Sequence, residues 1–185
     1  MISKFLDLGI AENVAKAIDE MGWEEPSPIQ EAAIPAGLKG YDLIAQAQTG
    51  TGKTGTFGSV ILSTIPSGQK VPSAIVLEPT RELAVQVSEE LGKMSDFSGH
   101  VCVPIYGGAS IERQVDELEE GVDIIAGMLK PAGDGKNATF EYALSGMTDY
   151  ITTKEGSRYA AGVRKGLAKA VAACTPTPGI FGMLQ

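Results

Sequence analysis

The sequence predicts an α/β fold in which a parallel sheet carries helices on both of its faces. Four short apolar runs are interpreted as strands, at residues 42–46, 74–77, 101–105 and 122–126. The segments between them have the apolar spacing of helices, at residues 53–64, 81–94 and 111–120. Strands that alternate with helices in this way are joined by right-handed crossovers, so they are expected to run parallel. Two short helices are predicted upstream, at residues 12–21 and 27–36.

Length and composition favour a single folded core. The 185 residues are 43% hydrophobic, which is enough for one well-buried core. No run of eighteen apolar residues occurs and the N-terminus lacks a basic segment followed by an apolar one, so we expect neither a membrane span nor a signal peptide. Cys102 and Cys174 are the only thiols and His100 is the only imidazole. This excludes a disulfide framework and an ordinary His/Cys zinc site, and a reducing cytoplasm fits.

Charge divides the chain into two parts near residue 127. Residues 1–127 carry 8 basic and 19 acidic side chains, a net charge of −11, whereas residues 128–185 carry 7 and 4, a net charge of +3. We interpret 1–127 as one lobe and 128–185 as a helical or mixed tail packed on the same core. Basic residues lie off the apolar face of a predicted tail helix: Arg158, Arg164, Lys165 and Lys169. The acidic first part argues against broad nonspecific nucleic-acid binding but leaves room for a local cleft that binds a phosphate backbone.

The segment QAQTGTGKT lies where the first predicted strand runs into a helix. Gly50 and Gly52 can adopt backbone angles that point successive amide hydrogens at an anion. Lys53 can then reach the outer phosphates, Thr54 offers a hydroxyl to a magnesium ion, and the helix N-terminus favours negative charge. The usual spacing has glycine where this chain has Ala47. A plain glycine-rich turn is the alternative, but it does not require Lys and Thr directly after the second glycine.

Four separate motifs occur in order along the first part of the chain. They are GWEEPSPIQ at residues 22–30, the phosphate loop at 47–54, PTREL at 79–83 and a glycine doublet at 107–108. Together they resemble the first RecA-like lobe of the DEAD-box RNA helicases, over about residues 5–127. The resemblance implies a P-loop RecA-like fold that binds ATP or ADP with Mg²⁺ and contacts RNA. It places these residues around the nucleotide, with Thr54 also as the metal ligand: Phe5, Trp23, Gln30, Gln48, Thr49, Gly50, Thr51, Gly52, Lys53 and Thr54.

Gln30 is the candidate residue for recognising the base. Its side-chain amide offers one donor and one acceptor, which match the N6 and N7 edge of adenine. In the family the corresponding glutamine has that role. The resemblance also puts Phe5 in the place of an upstream aromatic residue and Trp23 in the place of a Phe or Tyr near the base. Without its Pro-Ser-Pro-Ile context Gln30 would be a solvated helix residue, and for Phe5 packing in the core is an equal alternative.

The candidate RNA contacts are Pro79, Thr80, Arg81, Gly107, Gly108 and Gln114. From the residues alone, Thr80 fits a helix N-cap with Glu82 in the first turn. The resemblance adds that Thr80 and Arg81 contact RNA phosphates, which reads the backbone and not the sequence. It also implies that the glycine doublet lets RNA approach closely, and it matches Gln114 to the family's glutamine after the doublet. The alternatives are a plain helix start, an ordinary turn and an exposed helix residue.

The motif resemblance ends after residue 127. The family continues with Thr-Pro-Gly-Arg where this chain has Met-Leu-Lys-Pro, and we match neither the Asp-Glu-Ala-Asp box, the Ser-Ala-Thr triplet nor the second lobe with its arginine finger. Asp134 is interpreted as a turn residue, and Asp149 follows a stretch too rich in glycine and hydroxyls for a buried strand. The missing motifs indicate a truncated or recombined lobe, which we expect to bind nucleotide but not to unwind RNA. Because an arginine finger alone accelerates hydrolysis about 10³–10⁵-fold, we expect this lobe to hydrolyse ATP negligibly.

Two alternatives from other classes are left open. One is a P-loop ATPase whose missing groups come from the tail or from a partner chain. The other is a non-catalytic scaffold, chimeric or designed, in which helicase motifs survive. The helix after the phosphate loop also departs from the alanine-rich sequence usual in the family, at Gly55, Thr56 and Gly58. Each glycine is expected to cost roughly 0.5–1 kcal/mol of helix stability against alanine and to weaken binding accordingly.

Overall fold

A three-stranded parallel sheet is at the centre of the structure. The computed structural model describes residues 2–69 and 71–128. The strands are β1 (Ala74–Glu78), β2 (Cys102–Ile105) and β3 (Ile124–Met128). Their order is β1-β3-β2, both pairs are parallel, and Ala74 and Cys102 each lie opposite Ile124. The parallel α/β sheet predicted from the sequence is therefore confirmed.

Six helices accompany this sheet in the described residues. They are α1 (Ile2–Leu6), α2 (Glu12–Glu20), α3 (Pro28–Leu38), α4 (Lys53–Thr64), α5 (Arg81–Met94) and α6 (Ile111–Glu120). Ser27 and Gln30 form a capping box at the start of α3. The Thr80 hydroxyl accepts a hydrogen bond from the Leu83 backbone N–H at 3.2 Å, so the predicted N-cap of α5 is confirmed. Ser110 caps α6 in the same way.

The core lies between β3 and the first five helices. Four of the five β3 residues are buried, because β3 is the middle strand. The core cluster consists of apolar residues from several elements: Phe5, Ile10, Val14, Ala15, Ile18, Ile34, Leu62, Val87, Leu91, Met94, Ile124 and Ala126. Since parallel strands end at the same edge of a sheet, the loops after β1 and β2 begin at one edge, on either side of β3, and ligands of such sheets bind at that edge.

The first predicted strand, at residues 42–46, is wrong. In the structure this segment has no regular secondary structure and pairs with none of the described strands. Leu43 and Ile44 are 46% and 78% exposed. An apolar run becomes a strand only where a neighbouring strand accepts its backbone hydrogen bonds, and the described part of the chain offers none here. The phosphate loop therefore follows an exposed, unpaired segment and not a buried strand.

A buried carboxylate links the segments that lead into all three strands. Asp123 directly precedes β3 and is fully buried. Its side chain accepts hydrogen bonds from the backbone N–H groups of Gly68 at 3.2 Å, Gln69 at 2.8 Å and Val101 at 3.0 Å. Its backbone carbonyl accepts a further bond from the Ser73 N–H at 2.8 Å. Asp123 was not predicted from the sequence as an important residue, although its side chain fixes the approaches to β1 and β2.

Packing accounts for the glycines of α4. A Cβ atom at Gly55 would lie 2.4 Å from Cζ3 of Trp23, and one at Gly58 would lie 2.7 Å from Cδ2 of Leu91. Such contacts are far inside van der Waals distance, so alanine fits neither position without movement of its neighbours. The predicted loss of helix stability counted only intrinsic propensity and omitted this larger packing effect.

The chain divides into two units, residues 1–129 and 130–185, and the described residues all lie in the first. The predicted tail helix with its basic face, and the interpretations of Asp134 and Asp149, fall outside the described residues. The packing of the tail on the core stays a prediction. None of the helices in ranges 2–69 and 71–128 combines the length and the apolar character that a membrane span requires.

Candidate nucleotide-binding site

The phosphate loop turns through two glycines before it enters α4. Gly50 and Gly52 have φ angles of 83° and 85°, in the left-handed region that favours glycine. A Cβ at Gly52 would also lie 2.7 Å from Nε2 of Gln30, whereas nothing lies within 4 Å of a Cβ at Gly50. The tip of the loop is therefore open, and its base is packed against α3. The predicted loop residues Gln48, Thr49 and Thr51 complete this turn.

Lys53 bends back over the loop that precedes it. Its Nζ donates hydrogen bonds to the carbonyl oxygens of Ala47 at 2.6 Å and Gln48 at 3.1 Å. The Thr51 hydroxyl donates to the same Gln48 carbonyl at 2.7 Å. Both partners of the ammonium group are neutral, and the ion pairs found among the described residues do not include Lys53. An anion at this place would therefore meet an unneutralised positive charge.

Gln30 connects α3 to the phosphate loop. It is 3% exposed. Its Oε1 accepts a hydrogen bond from the Ser27 N–H at 2.8 Å, and its Nε2 donates to the Gly52 carbonyl at 3.3 Å. The Ser27 hydroxyl donates to the Thr51 carbonyl at 2.8 Å. These contacts leave Gln30 one N–H and one lone pair unused, because a primary amide has two of each.

Trp23 lies beside Gln30, and Phe5 lies behind Trp23. The two rings are tilted by 43° with centroids 6.4 Å apart. Phe5 is only 1% exposed and belongs to the core cluster, so the core-packing alternative describes it in this structure. Trp23 is half-buried. Of the two predicted aromatic residues, only Trp23 therefore has ring surface within reach of a ligand.

Thr54, the predicted metal ligand, is engaged by a residue that sequence analysis missed. Its side chain interacts with that of Glu90 on α5. Burial raises the pKa of Glu90, and the Thr54 hydrogen bond and the Lys93 charge oppose that rise. The sequence signal was available: residue 90 is three positions after Val87 and four before Met94, beside the buried face of α5. Within the described residues, no cluster of three or more His, Cys, Asp or Glu side chains is arranged to hold a metal ion.

The predicted RNA-contacting residues come together where β1 and β2 end. Pro79, Thr80 and Arg81 follow β1 and are exposed. A Cβ at Gly108, after β2, would lie 3.4 Å from the guanidinium Nη1 of Arg81. Gly108 has a φ of 93°, and a Cβ at Gly107 would meet nothing within 4 Å. The structure thus combines two motifs, separated in sequence, into one exposed surface.

Gln114 on α6 is hydrogen-bonded to the loop that precedes this helix, and its contact with RNA stays a prediction. Its Oε1 accepts a hydrogen bond from the Tyr106 N–H at 2.9 Å, and its Nε2 donates to the Tyr106 and Ser110 carbonyls, each at 3.3 Å. It is half-buried, so it is not a solvated helix residue. Its side chain fixes the backbone of the loop that carries the glycine doublet.

The fold and the loop before α4 define a P-loop α/β lobe of the RecA-like class. The family model described as DEAD/DEAH box helicase matches residues 27–144, which is more than half of the chain. The chain therefore belongs to the DEAD/DEAH box helicase family, as the four motifs predicted. The match extends beyond residue 127, where the motif resemblance ended.

Individual relatives agree with this assignment. Over 127 residues the chain is 47% identical to the ATP-dependent RNA helicase CshA of Listeria monocytogenes, and over 126 residues it is 46% identical to the DEAD-box ATP-dependent RNA helicase CshA of Geobacillus kaustophilus. Each alignment covers 68% of this chain, but only 24% and 27% of the two relatives. The chain thus spans about a quarter of the length of the curated relatives it matches.

Solved structures confirm the fold. A DEAD box protein from the hyperthermophile Methanococcus jannaschii matches with a TM-score of 0.64 and 35% identity, over 68% of this chain and 34% of that one. The RNA helicase Prp28 from Chaetomium thermophilum, bound to ADP, matches with a TM-score of 0.62 and 33% identity, over 80% of this chain and 33% of that one.

Proposed function

We propose that the described lobe binds ATP or ADP, with the phosphates on the loop before α4 and the adenine beside Gln30. One observation carries this proposal: the start of α3 and the phosphate loop form one hydrogen-bonded unit, through Ser27 to Thr51 and Gln30 to Gly52. A nucleotide has a base at one end and phosphates at the other, so it can contact the start of α3 and the phosphate loop at the same time. The structure of Prp28, a relative in the same family, contains ADP.

The phosphate end is held by charge and by the backbone. When a nucleotide binds, Lys53 exchanges two neutral carbonyl partners for anionic oxygens. The backbone around Gly50 and Gly52 and the N-terminus of α4 add further donors. The Thr54 hydroxyl would supply one oxygen ligand to a metal ion held with the phosphates. This oxygen suits Mg²⁺, which nucleotide sites hold mainly through phosphate and water oxygens.

Gln30 is expected to make the site selective for adenine. Its unused N–H and lone pair pair with N7 and N6 of adenine, whereas guanine presents an acceptor, O6, in place of the N6 donor. The substitution Gln30→Glu keeps an oxygen to accept from the Ser27 N–H and removes the amide donor. We expect Gln30→Glu to reduce ATP affinity about tenfold and to abolish the preference for ATP over GTP, measured by titration with both nucleotides.

Gln86→Glu is the matched control, because Gln86 is an exposed residue on α5. It introduces the same negative charge at a solvent-exposed position, where water and salt screen it, and should leave both affinities within about twofold. If the ratio of ATP to GTP affinity were unchanged in Gln30→Glu, Gln30 would not be the residue that recognises the base.

Unwinding and turnover are separate from binding. The relatives named as RNA helicases are about four times as long as the stretch they share with this chain. We propose that RNA unwinding needs parts of such proteins that the described lobe does not supply. The lobe by itself should turn over ATP negligibly, since phosphoryl transfer needs a strand-end aspartate and a group that orients the attacking water. Its cytoplasmic location stays a prediction.

The surface formed by Arg81 and Gly108 supports a second, weaker function, contact with an RNA backbone. We expect Arg81→Ala to weaken binding of single-stranded RNA equally for different sequences and to reduce the slope of log affinity against log salt by about one. Fluorescence anisotropy of labelled oligonucleotides over a range of salt concentrations measures both effects. Arg113→Ala is the control, because Arg113 is exposed on α6 and pairs there with Glu117. A sequence-dependent loss, or tight binding that salt does not weaken, would contradict backbone contact.

A further inference from the structure

Gly55 occupies a position where two site residues leave no room for a side chain. It is the third residue of α4, directly after Lys53 and Thr54. A Cβ built on it would lie 2.4 Å and 2.5 Å from Cζ3 and Cη2 of Trp23, and 2.8 Å from Nε2 of Gln30. Both the indole and the amide therefore use the volume that any other residue at position 55 would fill.

Neither neighbour can move away without losing its own contacts. Trp23 packs against the core cluster and against the Phe5 ring. Gln30 is 3% exposed and is held by Ser27 and Gly52. A methyl group at position 55 would therefore collide with both side chains. The indole is the one expected to move, because Trp23 is half-buried whereas Gln30 is almost fully buried.

We propose that Gly55 is a positioning residue that seats Trp23 beside Gln30, so that the indole forms one wall of the pocket for the purine. This inference rests on the proposed function and adds to it. The indole is large, and its outer ring atoms Cζ3 and Cη2 are the ones that reach Gly55. Trp23 and Gly55 are thus a matched pair: the bulky ring at one position requires the missing side chain at the other.

The chain contains a single tryptophan, so intrinsic fluorescence reports on Trp23 alone. Gly55→Ala should shift the emission of the unliganded protein to longer wavelength, because the displaced indole meets more water. It should also weaken ATP binding about tenfold, within the coupling range of residues in contact. Binding of inorganic triphosphate should change by less than about twofold, because the glycines at 50 and 52, Lys53 and the start of α4 are retained.

Trp23→Phe supplies the rescue. Phenylalanine lacks the outer atoms of the indole, so it makes space for alanine at position 55. Trp23→Phe alone should weaken ATP binding about threefold, since an aromatic face is kept. The double variant Trp23→Phe/Gly55→Ala should match Trp23→Phe, which makes the two substitutions strongly non-additive.

Gly58→Ala separates this role from general damage to α4. Its Cβ would collide with Leu91 and Met94, and not with Trp23. It should lower thermal stability while leaving the Trp23 emission and the ratio of ATP to triphosphate affinity unchanged.

Two results would overturn the inference. One is a Gly55→Ala variant whose Trp23 emission is unchanged. The other is a Gly55→Ala substitution that weakens ATP binding by the same factor in the unmodified protein and in the Trp23→Phe variant. Absence of ATP binding by the unmodified protein would instead refute the proposed function, and the emission shift would then test the seating of Trp23 alone.

Discussion

Replacing Lys53 with alanine is expected to weaken ATP and ADP binding by about 10- to 100-fold. The ammonium group now rests on two neutral carbonyl oxygens, and in the complex it would make charge-assisted hydrogen bonds to phosphate. Hydrogen bonds to charged groups contribute roughly 1.5–3 kcal/mol. Isothermal titration of the unmodified protein and of Lys53→Ala, at the same ionic strength, measures the difference directly.

Lys39→Ala is the control for the loss of one positive charge. Lys39 is exposed at the C-terminal end of α3 and should change affinity by less than about twofold. Adenosine, which has no phosphate, should bind equally to the unmodified protein and to Lys53→Ala. If Lys53→Ala bound ATP as tightly as the unmodified protein, the loop would be a plain glycine-rich turn. That result would favour the non-catalytic scaffold. ATP turnover that disappears in Lys53→Ala would instead favour an ATPase completed by other groups.

Three of the four strands predicted from the sequence are present in the structure, because each of those three has a neighbour in the sheet. Periodicity and hydrophobicity located β1, β2 and β3 to within a few residues. They failed at residues 42–46, where Leu43 and Ile44 are as apolar as a core strand but lie exposed. A strand forms only where two segments pair through backbone hydrogen bonds, and a local sequence pattern describes only one of the two segments. The same reasoning accounts for the success at Thr80, since an N-cap depends on residues within one turn.

The site was predictable to the extent that motifs encode it. The glycines of the phosphate loop and Lys53 were found from their spacing, and Gln30 was found from the family resemblance of the motif that ends with it. The contacts of Glu90 with Thr54, and of Gln114 with Tyr106, join different elements, so spacing within one element can place Glu90 beside the buried face of α5 but cannot identify its partner. Packing between segments was equally hidden, so Gly55 seemed a weak helix residue until Trp23 was found against it.

The connection between Ser27, Gln30 and the phosphate loop has a consequence for ligand binding. The amide of Gln30 bonds to the carbonyl of Gly52, and that carbonyl also accepts hydrogen bonds from the Thr56 N–H and hydroxyl, each at 2.9 Å. Thr56 lies in the first turns of α4, so a shift of Gln30 toward a base alters the hydrogen bonding at the start of that helix. Base and phosphate recognition are therefore expected to be coupled, which is the condition for distinguishing a nucleotide from its separate parts.

Asp123→Ala is expected to lower the free energy of unfolding by about 3 to 5 kcal/mol, the largest stability effect we expect in the described lobe. The substitution removes a fully buried side chain that accepts hydrogen bonds from the N–H groups of Gly68, Gln69 and Val101. A donor that loses its partner away from water costs roughly 1–3 kcal/mol, and water recovers part of the sum here because the three donor residues are themselves exposed. Urea unfolding followed by far-UV circular dichroism gives the difference between the two proteins.

Two further variants make this result interpretable even if Asp123→Ala does not fold. Asp123→Asn can keep one oxygen near Gly68 and Val101 while it turns its NH₂ group toward Gln69, so its loss should fall between zero and that of alanine. Asp116→Ala removes an exposed carboxylate on α6 and should change stability by less than about 0.5 kcal/mol. If Asp123→Ala were as stable as Asp116→Ala, the three hydrogen bonds would not hold the approaches to β1 and β2. The order alanine, asparagine, aspartate in increasing stability is the result that a buried acceptor for three backbone donors requires.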